Sequence, residues 1–154
     1  MSEPRFLSKS EFSSVVRNAP LVSIDVIIKD PQECILVGER ENEPAKGCYF
    51  VPGGVIRKNE TIEAAFARIV LAETGIGCSV GEAKLLGVFE HIYEKNVFGD
   101  PDYGTHYVVL AYELALGQRP RVVKDSQHAD FRWMSKSELL SFGSVHPNTQ
   151  AYFR

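Results

Sequence analysis

The chain reads as an α/β (α+β) protein, a mixed β-sheet covered by helices. Apolar and β-branched runs of strand length recur along it, and a few helices interleave with them. The joins between strands include hairpin-like ones, which a mixed sheet needs.

A helix is expected near residues 9–18. The first strand, 21–29, is the run Leu21-Val-Ser-Ile-Asp-Val-Ile-Ile28, interrupted only by Ser23 and Asp25, and shorter strands follow at 34–37 and 49–51. The next helix opens at Asn59 as N-cap, with Glu60 and Glu63 in the first turn where the dipole favours acids, and stops at Gly75. Strands at 84–93 and 105–114 come next, the second with Val108, Val109 and Leu110 apolar in succession. At 131–134, Phe131 and Trp133 alternate with Arg132, which assigns both rings to core or wall packing. Ser135-Lys-Ser-Glu138 is a capping box that begins the last helix. Two polar joints, 94–104 and 117–130, are long enough to border a ligand; solvated linkers are the competing explanation.

A length of 154 residues suits one domain, 1–154, with 44% hydrophobic and 24% charged residues as in ordinary globular chains. The net charge of −3 provides no basic footprint, so nucleic acid is not an expected partner, and the charge does not exclude a nucleotide. Cys34, Cys48 and Cys78 are odd in number and lack paired spacing, which argues against a disulfide framework or a zinc knuckle. Reduced thiols fit a cytoplasmic setting. The start, Met1-Ser-Glu-Pro-Arg5, has no apolar run, so no signal peptide, membrane span or membrane partner is expected.

Chemistry concentrates at the end of the helix that stops at Gly75. At helical pitch Ile62, Phe66 and Ile69 share a face with Glu73, so the side expected to meet the core carries a carboxylate. The macrodipole is negative there and desolvation also disfavours an anion, which points to a compensating cation. Gly53 and Gly54, just upstream, let main chain approach a ligand closely; a loop carbonyl with a helix carboxylate suits Mg²⁺ or Mn²⁺. The competing explanation is a fraying last turn in which Glu73 bends out to water just before the stop at Gly75.

Gly54, Glu60, Arg68, Glu73, Gly75 and the aliphatic Ile76 are spaced as in the Nudix box, and over residues 54–76 the chain resembles that hydrolase superfamily. Ile69 and Ala72 stand where most of the superfamily has further glutamates. A helix without them cannot assemble a cluster of acidic ligands, so one metal ion per active site is expected. The reduced box looks like that of the GDP-mannose mannosyl hydrolases. The likeness extends through Asn18-Ala-Pro-Leu-Val-Ser-Ile-Asp25, Arg40, Pro44-Ala-Lys-Gly-Cys-Tyr-Phe-Val-Pro-Gly-Gly54, Glu90-His91-Ile-Tyr93, Thr105-His-Tyr107, Gln127-His128, Phe131-Arg-Trp133 and His146-Pro-Asn-Thr-Gln-Ala-Tyr152.

The resemblance implies an α/β/α sandwich, a homodimer, and a small nucleotide-sugar substrate. It implies that water attacks the anomeric carbon with inversion while GDP leaves with Mg²⁺ across its diphosphate. It puts the general base at His128, an imidazole that titrates near neutrality. It puts Arg40 and Tyr107 on the diphosphate, Asp25 on the sugar, and His91 in the active site. Gln127 would join Glu73 and the Gly53 carbonyl around the metal. Arg68 is expected to pair with a carboxylate or reach a phosphate and, with Glu60, to organise the box. Read as isolated residues, His128 is a surface histidine, Gln127 a loop glutamine, Arg40 and Tyr107 strand-edge groups and Asp25 an outward position on a half-exposed strand. His106 is expected to be structural.

One position departs from the mannosyl hydrolases. An arginine is expected directly after the double glycine, and Val55 stands there, with Arg57 and Lys58 following. Either Arg57 or Lys58 substitutes, leaving-group stabilisation is weaker, or the preferred substrate differs. A phosphorus-attacking pyrophosphohydrolase and a non-catalytic nucleotide-sugar sensor are the alternatives. The missing acids count against the first, and the retained Glu73, Gln127 and His128 against the second.

Overall fold

The computed structural model describes residues 3–121 and 128–154, the latter without the side chains of His128 and Ala129. Among the described residues a seven-stranded mixed sheet has β1 (Leu21–Lys29) at its centre. On one side β1 pairs in parallel with β6 (Thr105–Ala115), which pairs antiparallel with the edge strand β5 (Lys84–Tyr93). On the other side β1 meets β2 (Ile35–Arg40) and the short β4 (Gly53–Val55), both antiparallel. β2 in turn carries β3 (Tyr49–Phe50) and β7 (His128–Met134).

The apolar run of β1 is long because both of its faces are covered. Ile24, Val26 and Ile28 pack under α2 (Ile62–Thr74) with Ala65, Phe66, Ile69 and Val70. Ile27 faces the other way, into a cluster with Val37, Leu139, Val145 and Tyr152 that α3 (Lys136–Ser141), α4 (Pro147–Gln150) and the 3-10 turn Ala151–Phe153 help to build. None of the described helices is long and apolar enough to cross a membrane.

The helix near 9–18 is α1 (Lys9–Asn18), opened by a capping box in which Ser8 and Glu11 satisfy each other's backbone amides. The start of α2 needs correcting. Its N-cap is Thr61, whose hydroxyl accepts from the Ala64 amide at 3.1 Å. Asn59 has φ 67°, a left-handed turn position, and an N-cap needs extended backbone. Glu60 therefore precedes the helix and Glu63 is the first-turn acid. The stop at Gly75 is as expected: its φ is 75° and its amide returns to the Leu71 carbonyl at 2.8 Å.

Strand bounds differ where pairing overrides local pattern. β2 runs on to Arg40 because β3 and β7 continue its ladder. β7 begins at His128, so the last three residues of the expected 117–130 loop are strand. β4 was invisible to hydrophobic periodicity because two of its three residues are glycine. The 94–104 joint is tied up by Asn96, only 1% exposed, whose side chain donates to the Asp100 and Tyr103 carbonyls and accepts from the Phe98 and Asp100 amides. All three cysteines are partly buried and free.

Candidate active site

A cavity of about 1130 Å³ runs along β1 and β4 to the C-terminal half of α2. It brings together Asp25, Arg40, Gly53, Arg68, Glu73, His91 and Tyr107, residues up to 82 positions apart. Gln127 lies outside the described residues, as does the side chain of His128. The backbone of His128 pairs with Arg40.

The double glycine allows both walls to close on β4. A Cβ at Gly54 would come within 3.0 Å of Ile69 Cγ1, so its absence seats α2. A Cβ at Gly53 would overlap Asp25 Oδ1 and lie 2.8 Å from the Ile24 carbonyl. Glu73, 5% exposed, continues the inward face of Phe66, Ile69 and Val70; it does not fray into water. Ile62 departs from the expected face. As the first helical residue it is 44% exposed at the cavity rim.

The donors around Glu73 fit a single hard cation. Its carboxylate is buried at the negative end of a helix whose last turn holds no basic residue, with the Gly53 main chain in the same cavity wall. Among the described residues no three His, Cys, Asp or Glu side chains gather as a metal cage. Ile69 is packed on Gly54, and Ala72 lines the cavity without a ligating atom.

Arg68 takes the organising role. Its Nε and Nη2 donate to the two Glu60 oxygens at 2.6 and 2.9 Å, and Nη2 also donates to the Val55 carbonyl at 2.9 Å. Glu60 accepts from the Arg57 amide as well, so one half-buried ion pair ties the loop 55–60 to α2. Arg68 holds the Glu60 carboxyl below the usual range.

At the other end Asp25 turns inward and finds a partner. Tyr152 donates its hydroxyl to Asp25 Oδ2 at 2.6 Å, and the same hydroxyl lies 3.4 Å from His91 Nε2. Burial pushes the Asp25 carboxyl up to about 6, against the pull of Tyr152 and Arg40. Burial, with His146 nearby, depresses His91 to about 4, so this imidazole is neutral at physiological pH. Burial raises the Tyr107 phenol, against the pull of the nearby Arg40 guanidinium. Arg40 lies over the Phe50 ring at 5.4 Å, and His146 stacks on that ring at 4.8 Å. His106 does not line the cavity; it pairs with Glu90 across β5 and β6 at 3.2 Å.

Tyr152, Tyr93, His146 and Phe50 are site residues that sequence reasoning left without a role. Tyr93 lines the cavity, meets Tyr107 edge-on at 6.0 Å and accepts from Asn148. A readable signal did exist, since Pro147 after His146 marks the first turn of a helix. Nothing local says that this helix delivers Tyr152 to Asp25.

Asp25 and His91 make opposite contributions to stability over the same pH range. His91, depressed from 6.5, loses stability as pH falls from 6.5 to 4, because the unfolded chain takes the proton first. Asp25, raised from 3.8, loses stability as pH rises from 3.8 to 6, because the folded chain holds the proton longer. Each shift corresponds to roughly 3 kcal/mol, so the two nearly cancel. Relative to the parent, Asp25→Asn should lose stability as pH falls from 6.5 to 4, and His91→Gln should gain it. Denaturant unfolding at stepped pH checks this, and difference curves without slope would refute it.

Known proteins share this architecture. The NUDIX domain model matches residues 19–153. The low-salt glycan biosynthesis protein Agl8 of Haloferax volcanii is 35% identical over 142 residues, spanning 92% of this chain and 85% of that protein. The ADP-ribose pyrophosphatase of Methanocaldococcus jannaschii is 31% identical over 80% of this chain and 68% of its own length. Among solved structures, the MutT NUDIX hydrolase of Burkholderia pseudomallei superposes with a TM-score of 0.71 at 27% identity, covering 88% of this chain and 97% of that one.

Proposed function

The chain belongs to the Nudix family of hydrolases, and on that footing we propose that it splits a GDP-sugar, GDP-mannose or GDP-glucose, into GDP and free sugar by attack of water at the anomeric carbon. The observation that carries this reading is the division of carboxylates in the cavity. Of the two carboxylates on the box helix only Glu73 lines the cavity, where attack on phosphorus would draw on a cluster. A second carboxylate, Asp25, lines the same cavity from β1, with Tyr152, Arg40 and Tyr107 around it. Likeness to a glycan biosynthesis protein agrees with a sugar-bearing substrate.

In the reaction, Arg40 and Tyr107 orient the diphosphate through charge-assisted and neutral hydrogen bonds. Asp25, largely ionised at neutral pH, faces the sugar ring and stabilises positive charge developing at the anomeric carbon. His128 takes a proton from water as its oxygen bonds to that carbon, and the bond from carbon to the diphosphate oxygen breaks with its electron pair leaving on GDP. The α-linked sugar emerges as the β anomer. Neutral His91 supplies a hydrogen bond without adding charge beside Asp25. Glu73, the Gly53 carbonyl and Gln127 would hold a Mg²⁺ ion, with Mn²⁺ able to substitute, whose charge eases departure of the diphosphate.

A second reading, cleavage of the phosphoanhydride, is favoured by the likeness to an ADP-ribose pyrophosphatase. One experiment separates the two: incubate the protein with GDP-mannose and Mg²⁺ in ¹⁸O water and identify the products. Free mannose carrying the label, with unlabelled GDP, is the expected result. Labelled phosphate in mannose 1-phosphate or GMP establishes the second reading, and binding without turnover means a sensor.

A further inference from the structure

We propose that Arg57, held in place by Phe6, supplies the second guanidinium that grips the diphosphate of the substrate. The proposal rests on the nucleotide-sugar reading and specifies which residue completes its cationic wall. The position directly after the double glycine is the aliphatic Val55, so no cation enters the cavity there. Arg57 lines the same cavity as Arg40 and Gly53.

Its neighbours leave its fork uncommitted. Arg68 is spent on Glu60 and the Val55 carbonyl, and Arg5 pairs with Glu11. Glu60 accepts only the backbone amide of Arg57 and gives its carboxylate to the Arg68 side chain. Among the described residues no carboxylate pairs with the Arg57 guanidinium and no hydrogen bond ties it. A guanidinium lining a cavity with its donors free is suited to bidentate contact with phosphoryl oxygens.

A free arginine would ordinarily lose much rotamer freedom on binding, and here it is preorganised. Its Cζ lies 3.8 Å from the Phe6 ring centroid, the closest cation–π contact among the described residues. Phe6 is 75% exposed and has no core to hold it; its segment is pinned by the Arg5 amide donating to the Lys58 carbonyl at 3.0 Å and by Asn59 donating to the Glu3 carbonyl. Phe6 and Arg57 thus brace one another across two strands of backbone at the cavity mouth.

Calorimetric titrations of the parent, Arg57→Ala, Arg57→Lys and Phe6→Leu with GDP, inorganic pyrophosphate and guanosine, each in Mg²⁺, test this. Arg57→Ala should weaken GDP and pyrophosphate by roughly 10-fold or more, as expected for loss of a hydrogen bond to a charged group, and leave guanosine within about 2-fold. Arg57→Lys should recover part of the loss, and Phe6→Leu should cost less than Arg57→Ala. Unchanged GDP and pyrophosphate affinity overturns the proposal. Equal losses for guanosine overturn it too, since they would assign the Arg57–Phe6 stack to the base. A parent that binds pyrophosphate through Arg57 but frees no sugar from GDP-mannose refutes the glycosyl reading and leaves this inference standing; a parent that binds neither diphosphate refutes both.

Discussion

Glu73→Gln should abolish most of the divalent-ion affinity and lower turnover of GDP-mannose by roughly 100-fold or more, because it removes the one charged side-chain ligand that the box helix presents. The amide keeps the shape and the hydrogen-bonding capacity, so folding should change little. Glu60→Gln is the control. Its carboxylate is engaged by Arg68 and the Arg57 amide, so metal affinity should persist while stability falls by about 1–2 kcal/mol. Mn²⁺ titration followed by electron paramagnetic resonance reads both variants directly. Equal Mn²⁺ affinity in Glu73→Gln and the parent would remove Glu73 from the site.

His128→Ala should lower the sugar-releasing rate by roughly 100-fold or more and leave KM near the parent value, as for loss of a general base whose work lies in the transition state. The pH profile sharpens the prediction. His91 is neutral down to about pH 4 and Asp25, raised to about 6, gives a limb that should persist in His128→Ala; a further limb nearer neutrality belongs to neither group and should vanish in that variant. Proton NMR of the first-formed sugar should show the β anomer in both proteins. A rate within threefold of the parent, with the neutral limb intact, assigns the base elsewhere.

Much of the architecture was legible because it is written in local chemistry. The β1 run, α1, the Gly75 stop and the Ser135 capping box depend on patterns and caps that act within a few residues of one another. The box was legible for the same reason. Its glycines, Glu60, Arg68 and Glu73 lie within one loop and helix, and the Glu60–Arg68 pair forms inside that unit.

What local reasoning misjudged turns on backbone detail. Asn59 is as good an N-cap by composition as Thr61, and only its left-handed φ excludes it. β4 exists because β1 offers it a ladder, although Gly-Gly-Val has little strand propensity of its own.

The sequence alone determined the sheet-and-helix composition of the chain, its membership in a hydrolase family and the carboxylate on the inward face at the end of the box helix. Only the tertiary structure decided what surrounds that carboxylate. It set Tyr152 against Asp25, 127 positions apart, and turned Arg57 onto Phe6, because these contacts form between elements that share no local pattern. It also raised Asp25 and depressed His91. Burial and neighbouring charge move a pKa, and both are properties of the assembled cavity and not of the residue.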